Sequence, residues 1–275
     1  MAHQSKDLGK TWTALGPTGL PEEVLTLDAE RGILYAAGGI ISPGSPIFRS
    51  TDDGATWSMS YPALGLLDLT ADPKVSGAVW ALGLPEAGSS VFVVRSTDGG
   101  VTWPVINQLT DEPPAVAAGG VFLSPSHPGM LYVLLPSGLL FASADGGGTL
   151  AAAQPPAPVT GLVVDPSAAG IVYAATALPQ PVWRSLDHGA AWEPASQGLP
   201  PGTSIVALAI DPAYPSTFYA ATNRGVWVTD NRALRWRQLG TGLPGVHLTA
   251  IVALSGPPRT VIVGTAAAGA YSITR

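Results

Sequence analysis

The side chains best suited to chemistry are carboxylates that do not recur with the rest of the sequence. Asp68 stands inside an otherwise apolar stretch, residues 65–71. Further acids fall in segments between predicted strands: Glu22, Glu23, Glu86, Asp111, Glu112 and Glu193. Two carboxylates facing a sugar can hydrolyse a glycosidic bond, and an acidic face can attract a cation, a polyol or a basic partner. The plainer interpretation is that solvated loops of an acidic protein carry acids.

Tyr61 and His247 complete the set of candidate binding residues. Tyr61 lies outside the repeated tyrosine position and, with Ile40 and Ile41, could form an apolar rim for a partner. His247 lies in a segment between repeats. No two of the four histidines have a metal-ligand spacing, and no Gly-x-Ser-x-Gly elbow, phosphate loop or dinucleotide fingerprint is present. We therefore predict no metal, no cofactor and no catalytic residue.

Composition excludes several classes of protein. The 275 residues contain no Cys, 33 Gly and 27 Pro, and 46% are apolar. This argues against a disordered chain, a long coiled coil and a disulfide scaffold. No apolar run is long enough for a membrane span. With 13 Lys and Arg against 19 Asp and Glu, and no basic stripe, nucleic acid is not an expected partner.

One pattern of eight residues, Ser-x-Asp-x-Gly-x-x-Trp, recurs along the chain. Complete copies occupy residues 5–12, 50–57, 96–103 and 185–192, and eroded copies occupy 143–150 and 229–236. Their last positions are 45, 46, 47, 42 and 44 residues apart, a period typical of a solenoid or a propeller. We expect the polar and aromatic positions to be structural: Asp7, Asp52, Asp98, Asp145, Asp187, Asn231, Trp12, Trp57, Trp103, Trp192 and Trp236.

The segments that flank each copy also repeat. An apolar stretch ending near Asp-Pro, a second β-rich segment and a third ending in Arg, as at Arg49, Arg95 and Arg184, precede most copies. The copy then forms a turn, in which Asp accepts backbone hydrogen bonds and Gly supplies a positive φ. A fourth strand follows the turn. Units of four short strands at this period predict the blades of a β-propeller.

The two ends of the chain are predicted to share a blade. Residues 269–275 match a third strand, with Arg275 at the position of Arg49, and the box that should follow is found at residues 5–12. The sequence thus predicts an all-β, six-bladed propeller of four-stranded blades, closed by pairing the N-terminal strand with the C-terminal strands. It forms a single domain over 1–275, with blades at about 22–61, 62–109, 114–155, 158–197, 203–240, and 246–275 plus 5–16.

These boxes resemble the Asp-box, or BNR-repeat, propellers, which include sialidases, sortilin-like domains and photosystem II assembly factors. The resemblance covers essentially the whole chain and implies the architecture. For a sialidase it would imply three substrate-binding Arg, a Tyr–Glu nucleophile pair and an Asp acid. The Phe-Arg-Ile-Pro type of motif is missing, and Arg49 belongs to the repeat. No sialidase residue can therefore be assigned.

The sequence favours a non-catalytic binding or scaffold propeller that recognises a protein or glycan through the face bearing the interblade loops. On that face we expect the acids Glu22, Glu23, Glu86, Asp111, Glu112 and Glu193 and few cations, namely Arg224, Arg235 and Arg237. The alternatives are a glycoside hydrolase or lyase with carboxylates at the channel mouth, and an engineered or reconstructed propeller with no evolved ligand. We expect a monomer without a membrane span. We expect an extracellular or periplasmic location, with the signal peptide removed; a cytoplasmic location is the alternative.

Overall fold

The chain folds into antiparallel β-sheets that follow one another in sequence order. The computed structural model describes residues 3–4, 11, 13–14, 24–37, 46–61, 65–84, 90–110, 119–168, 170–177, 179–240, 247–254, 256–267 and 269–275. Five sheets have four strands and the sixth has three, and we call them blades 1 to 6. A separate two-stranded sheet pairs β1 (His3–Gln4) with β2 (Thr13–Ala14).

The strands of the first three blades lie between residues 24 and 153. Blade 1 consists of β3 (Val24–Asp28), β4 (Ile33–Ala37), β5 (Ile47–Ser50) and β6 (Ser58–Tyr61). Blade 2 consists of β7 (Gly65–Ala71), β8 (Val79–Leu84), β9 (Ser90–Ser96) and β10 (Val105–Thr110). Blade 3 consists of β11 (Gly120–Leu123), β12 (Leu131–Leu134), β13 (Leu140–Ser143) and β14 (Ala151–Ala153).

The remaining blades lie between residues 159 and 274. Blade 4 consists of β15 (Val159–Val164), β16 (Val172–Thr176), β17 (Val182–Ser185) and β18 (Glu193–Pro194). Blade 5 consists of β19 (Ile205–Ile210), β20 (Phe218–Thr222), β21 (Gly225–Thr229) and β22 (Arg237–Gln238). Blade 6 consists of β23 (Leu248–Leu254), β24 (Thr260–Thr265) and β25 (Ala270–Thr274).

The hydrophobic core is divided among the interfaces between successive blades. The first strands contact one another in the order β3, β7, β11, β15, β19 and β23, so each blade packs on the next around a common centre. Each interface holds its own apolar cluster; the cluster between blades 1 and 2, for example, joins Tyr35 and Ile47 to Leu69 and Trp103. Burying both faces of a sheet explains why the second strands are mainly apolar.

The box residues form the turn between the third and fourth strands of a blade. In blade 1 the Ser50 hydroxyl accepts a hydrogen bond from the Gly54 N–H at 2.9 Å and donates one to the Asp52 carboxylate at 2.8 Å. The Asp52 carboxylate in turn accepts from the Thr56 N–H and hydroxyl. These bonds from Thr56, together with that from Ser50, lower the pKa of Asp52 to about 2. Gly54 has a φ of 84°, which a residue with a Cβ rarely adopts.

The other described boxes repeat this turn. The pKa of the carboxyl is lowered by the corresponding hydrogen bonds at Asp98, Asp145 and Asp187, and Asn231 accepts the equivalent bond from the Thr229 hydroxyl. Trp103 and Trp236 are buried and Trp57 and Trp192 are half-buried. Asp7 and Trp12 lie outside the described residues.

The register of blade 6 corrects the expected position of Arg275. Val261 pairs with Ile273 in blade 6, where Val172 pairs with Ser185 in blade 4. Val261 and Val172 each stand four residues before the threonine that ends the second strand, so the two pairs are equivalent. Ser272 pairs with Ile262 as Arg184 pairs with Tyr173, and it therefore occupies the position of the repeated arginine. Arg275 lies beyond the strand. The repeat period predicted this strand but placed its end three residues too late.

The expected pairing between the two ends of the chain is not among the described strand pairs. β2 pairs with β1, and the sheet of blade 6 ends at β25. The register of β1 and β2, with Gln4 opposite Thr13, is the one that Arg49 and Ser58 have around the box of blade 1.

Candidate functional site

A cavity of about 640 Å³ lies along the first strands of blades 2 to 5. It extends from Gly119 and Gly120, at the start of β11, to Pro73, Pro166 and Pro212, just beyond the ends of β7, β15 and β19. These first strands contact one another in succession, and we call the cavity along them the central cavity. Its volume falls within the ~300–1,000 Å³ of small-molecule sites.

The wall of this cavity is mainly apolar. Phe122, Leu123, Leu162 and Val164 contribute side chains to it, and among its lining residues Asp68 is the one titratable side chain. The sequence favoured an acidic face around the channel, whereas the described wall carries a single carboxyl. A second carboxylate for glycosidic chemistry is not among the described residues that line the cavity.

Asp68 reaches from blade 2 to the first strand of blade 3. Its Oδ2 accepts a hydrogen bond from the Val121 N–H at 2.8 Å and from the Thr70 hydroxyl at 3.2 Å. Burial raises the pKa of Asp68, against the opposing effect of these bonds and of one from the Leu69 N–H. Asp68 is half-buried. Its carboxyl has found partners, as a carboxylate withdrawn from water must, and it ties two blades together.

Of the other predicted binding residues, the described Tyr61 and His247 are not among those that line this cavity. Glu22, Glu23, Asp111 and Glu112 lie outside the described residues. Tyr61, expected on an apolar rim, is half-buried and packs edge-on against Trp103, with ring centroids 6.5 Å apart. His247 is exposed just before β23, and its carbonyl accepts a hydrogen bond from the Ala266 N–H.

The two ends of the blades define two faces. We call the end with the turns between third and fourth strands the box face, and the opposite end, with the turns between second and third strands, the loop face. Glu193, Arg235 and Arg237 were expected on the loop face but lie at the box face, within or directly after a box. Glu193 is ion-paired there with Arg184. Arg224, in the turn between β20 and β21, does lie on the loop face.

A second set of carboxylates lies at the ends of the first strands, and the sequence did not predict them as parts of the interfaces between blades. Asp28, Asp72, Asp165 and Asp211 are all buried. Asp28 accepts hydrogen bonds from the Glu30 and Arg31 N–H groups with Oδ1, and from the Gly77 N–H of blade 2 at 2.7 Å with Oδ2. The recurring Asp-Pro in the sequence was the signal for Asp72, Asp165 and Asp211, whereas Asp28 precedes an alanine and had no such signal.

The repeated arginines also connect blades. The Arg49 guanidinium donates to the carbonyl of Gly99, in the box of blade 2, at 3.0 Å. Arg184 donates to the carbonyl of Arg232, in the box of blade 5, at 3.1 Å. Their recurrence in the sequence thus reflects assembly of the propeller, in agreement with their exclusion from a substrate-binding role.

Arg275 makes the strongest ion pair at the box face. Its two terminal nitrogens each lie 2.6 Å from one oxygen of Asp230, and Arg237 contacts the same carboxylate at 3.1 Å. The hydrogen bond from Arg275 is the main reason that the pKa of Asp230 is lowered to about 2. Blade 6 is in this way tied to blade 5.

We expect Asp230→Asn to lower the free energy of unfolding by about 0.5–1 kcal/mol near pH 6, because the pair is partly exposed and screened. Since the folded pKa lies below the unfolded value, the contribution is present above pH 4 and is lost as the pH falls towards 2. Urea unfolding of both proteins at several pH values measures this. Asp53→Asn, in an exposed position, is the control. A difference between wild type and Asp230→Asn that persists unchanged at pH 2 contradicts the assignment.

Among the described residues, no group of three or more His, Asp or Glu side chains could hold a metal ion. No helix in the described part of the chain could cross a membrane.

Comparison with known proteins places the fold. No family model matches the sequence, and no curated protein gives a significant match. The GH74 enzyme of Niastella koreensis is similar in structure, with a TM-score of 0.67 and 18% identity over 94% of this chain and 48% of the enzyme. The chain spans about half the length of that enzyme. YCF48 from Cyanidioschyzon merolae has a TM-score of 0.64 and 14% identity over 93% of this chain and 83% of its own.

A structure of YCF48 bound to a D1 peptide is also similar, with a TM-score of 0.65 and 17% identity over 92% of this chain and 80% of that one. All these identities are low, so the likeness concerns the fold. The described residues form an all-β structure with the β-propeller fold.

Proposed function

We propose that this protein is a non-catalytic binding propeller that recognises a protein or a glycan through its loop face. The observation that supports this most is the make-up of the central cavity, where a single carboxyl is already held by Val121 and Thr70. Hydrolysis of a glycosidic bond usually requires two carboxyl groups on opposite sides of the bond. A binding surface requires only shape and a few polar contacts.

The loop face offers the side chains that such a surface needs. Leu139, in the turn between β12 and β13, is 52% exposed, and Val206, near the start of β19, is 45% exposed. Arg224 and His247 are exposed at the same end. Exposed apolar side chains beside polar ones are typical of interaction sites. The similar YCF48 structure with its D1 peptide lends weight to a protein partner, by analogy alone.

A screen of glycan and peptide arrays tests the proposal. The wild type is compared with Leu139→Asp and Val206→Asp on the loop face, and with Val101→Asp and Leu186→Asp, two exposed apolar positions on the box face. We expect a ligand whose binding falls at least tenfold in the loop-face variants and stays within twofold in the box-face variants. Loss of binding only in the box-face variants would overturn the assignment.

A second candidate is a glycoside hydrolase. The specific observation in its favour is Asp68, whose raised pKa suits a carboxylic acid that must give up a proton, on a fold shared with GH74 enzymes. Its second carboxylate would have to come from outside the described lining of the cavity. Hydrolysis that depends on Asp68 would favour this candidate over the binding module.

We further propose that the six blades form one closed, monomeric domain, with β2 as the fourth strand of blade 6. In support, Leu27 in the first blade and Val252 in the last are about half exposed, at 51% and 49%, and closure would bury them. An extracellular or periplasmic location belongs to the same proposal, with a cytoplasmic one as the alternative; detection of the untagged protein in cell fractions decides between them.

The absence of native cysteine allows a direct test of closure. We expect Leu27→Cys and Val252→Cys to react with a water-soluble maleimide at least tenfold more slowly than Met59→Cys, an outer-strand position that is 62% exposed. Equal rates at all three positions would contradict a closed ring.

A further inference from the structure

The central cavity has the features of a small-molecule site that is separate from the loop face. Its wall combines apolar side chains from blades 2, 3, 4 and 5 with one carboxyl group, that of Asp68. Small-molecule sites have this composition in general: an apolar wall that buries the body of the ligand and few polar groups that orient it. Box aspartates, in contrast, are exposed and satisfied within their own turns.

The hydrogen bonds of Asp68 leave room for one more donor. A carboxylate offers about four acceptor positions. The Val121 N–H, the Thr70 hydroxyl and the Leu69 N–H take three of them. A ligand that places a single donor against Asp68 would complete the set.

The charges along the wall indicate which donor fits. Asp68 is the one charged side chain among the described residues that line the cavity, and no Lys or Arg is among these. A half-buried carboxylate with no cation among its described neighbours in the wall favours a positively charged donor, because a charge-assisted hydrogen bond is about twice as strong as a neutral one. The apolar side chains around it, including Phe122 and Leu123, suit a hydrocarbon body.

A sugar fits this wall poorly. Each of its hydroxyl groups must exchange hydrogen bonds with water for hydrogen bonds with the protein, and unpaired polar groups cost affinity. Asp68 and Thr70 are the polar side chains of the lining, and they already bond to each other. The cavity therefore differs in its chemistry from a glycan-binding face.

We propose that the central cavity binds a small organic amine, a hydrocarbon body with one ammonium group, and that the ammonium is held by Asp68. This site acts beside the loop-face ligand of the proposed function and does not depend on it. The amine would bridge blades 2 and 3, because Asp68 belongs to β7 and its partner Val121 to β11.

Calorimetric titration of the full chain with phenethylamine and with 2-phenylethanol tests the proposal. The two probes share a ring and a chain but differ in charge. We expect the wild type to bind the amine at least tenfold more tightly than the alcohol. In Asp68→Asn the two affinities should lie within threefold of each other, while Asp53→Asn, an exposed position in the box of blade 1, should keep the preference.

Two further variants locate the binding. Leu123→Trp and Ile210→Phe each enlarge a residue of the cavity wall. Each variant is informative if its unfolding temperature stays near that of the wild type. In such a variant both probes should bind at least fivefold more weakly. An equal affinity of the wild type for both probes, or an amine preference that Asp68→Asn retains, overturns the proposal. The loop-face proposal is unaffected by either result, because Leu139→Asp and Val206→Asp report on it separately.

Discussion

Replacing Trp80 with alanine is expected to lower the free energy of unfolding by about 3–5 kcal/mol, the range for large buried aromatic residues. Trp80 is 1% exposed in the interface between blades 2 and 3, and its indole N–H donates to the carbonyl of Gly146 at 2.9 Å. The guanidinium of Arg95 lies 4.7 Å from the ring centre. Urea unfolding followed by circular dichroism measures the loss.

Trp80 supplies a large aromatic side chain at an interface where the box of the next blade has Leu150 in place of a tryptophan. At other interfaces a second-strand tyrosine meets the box tryptophan of the following blade, as Tyr35 meets Trp103 with ring centroids 6.4 Å apart. At the interface between blades 2 and 3 the larger side chain, Trp80, is in the second strand and the smaller one, Leu150, is in the box. The larger residue has moved to the other side of the interface.

A double-mutant cycle tests this exchange. Trp80→Tyr leaves a cavity and Leu150→Trp overpacks the interface, and each alone should cost about 1–3 kcal/mol. Together they recreate the pair found at other interfaces, so the double variant should recover at least half of the summed loss, a coupling of about 1–3 kcal/mol. Simple additivity of the two losses would contradict the exchange.

Asp28→Ala is expected to cost about 2–4 kcal/mol, because it leaves the Gly77 N–H without its acceptor inside a blade interface and frees two further N–H groups in its own turn. The carboxylate of Asp28 is 1% exposed and lies 2.7 Å from the Gly77 nitrogen. Thermal and urea unfolding of the variant measure the effect.

Asp72→Ala is the matched control. Asp72 occupies the same position in blade 2, and its described hydrogen bonds come from Lys74 and Val75 in its own turn. Without a bond across an interface, its loss should cost about 1–2 kcal/mol. An equal cost for the two variants would mean that the bond from Gly77 contributes little.

The order of strands within a blade was predictable from the sequence because local signals determine it. A box such as residues 50–57 carries its own turn chemistry, and the apolar segments on either side have the length of strands. The all-β architecture of successive four-stranded sheets follows from repeating that unit at a period of about 45 residues.

Contacts between blades were not predictable in the same way. A tryptophan missing at Leu150 looked like erosion, and Trp80 looked like ordinary packing, because nothing local shows that the two residues meet. The same holds for Asp68, whose partner Val121 is 53 residues away. Trp80 and Leu150 both depart from the repeat, and they lie in adjacent blades. Comparing such departures in pairs is the signal that could have revealed the exchange of the larger side chain.

Most of the acids expected around the centre lie outside the described residues, namely Glu22, Glu23, Glu86, Asp111 and Glu112, and the described wall of the central cavity is mainly apolar. Loop residues in the sequence were assigned to a face by counting strands, and an error of one turn moves a residue to the opposite end of the blade. Glu193 and Arg237 were misplaced for this reason, since each directly follows a box.

Whether the protein turns over a bound glycan is the most direct question for the proposed function. The measurement is mass spectrometry of a panel of β-linked oligosaccharides after prolonged incubation with the wild type and with Asp68→Asn. The account predicts unchanged oligosaccharides with both proteins, including any glycan that the arrays identify as a ligand. Shortened products that form with the wild type and not with Asp68→Asn would contradict a non-catalytic module and identify a glycoside hydrolase.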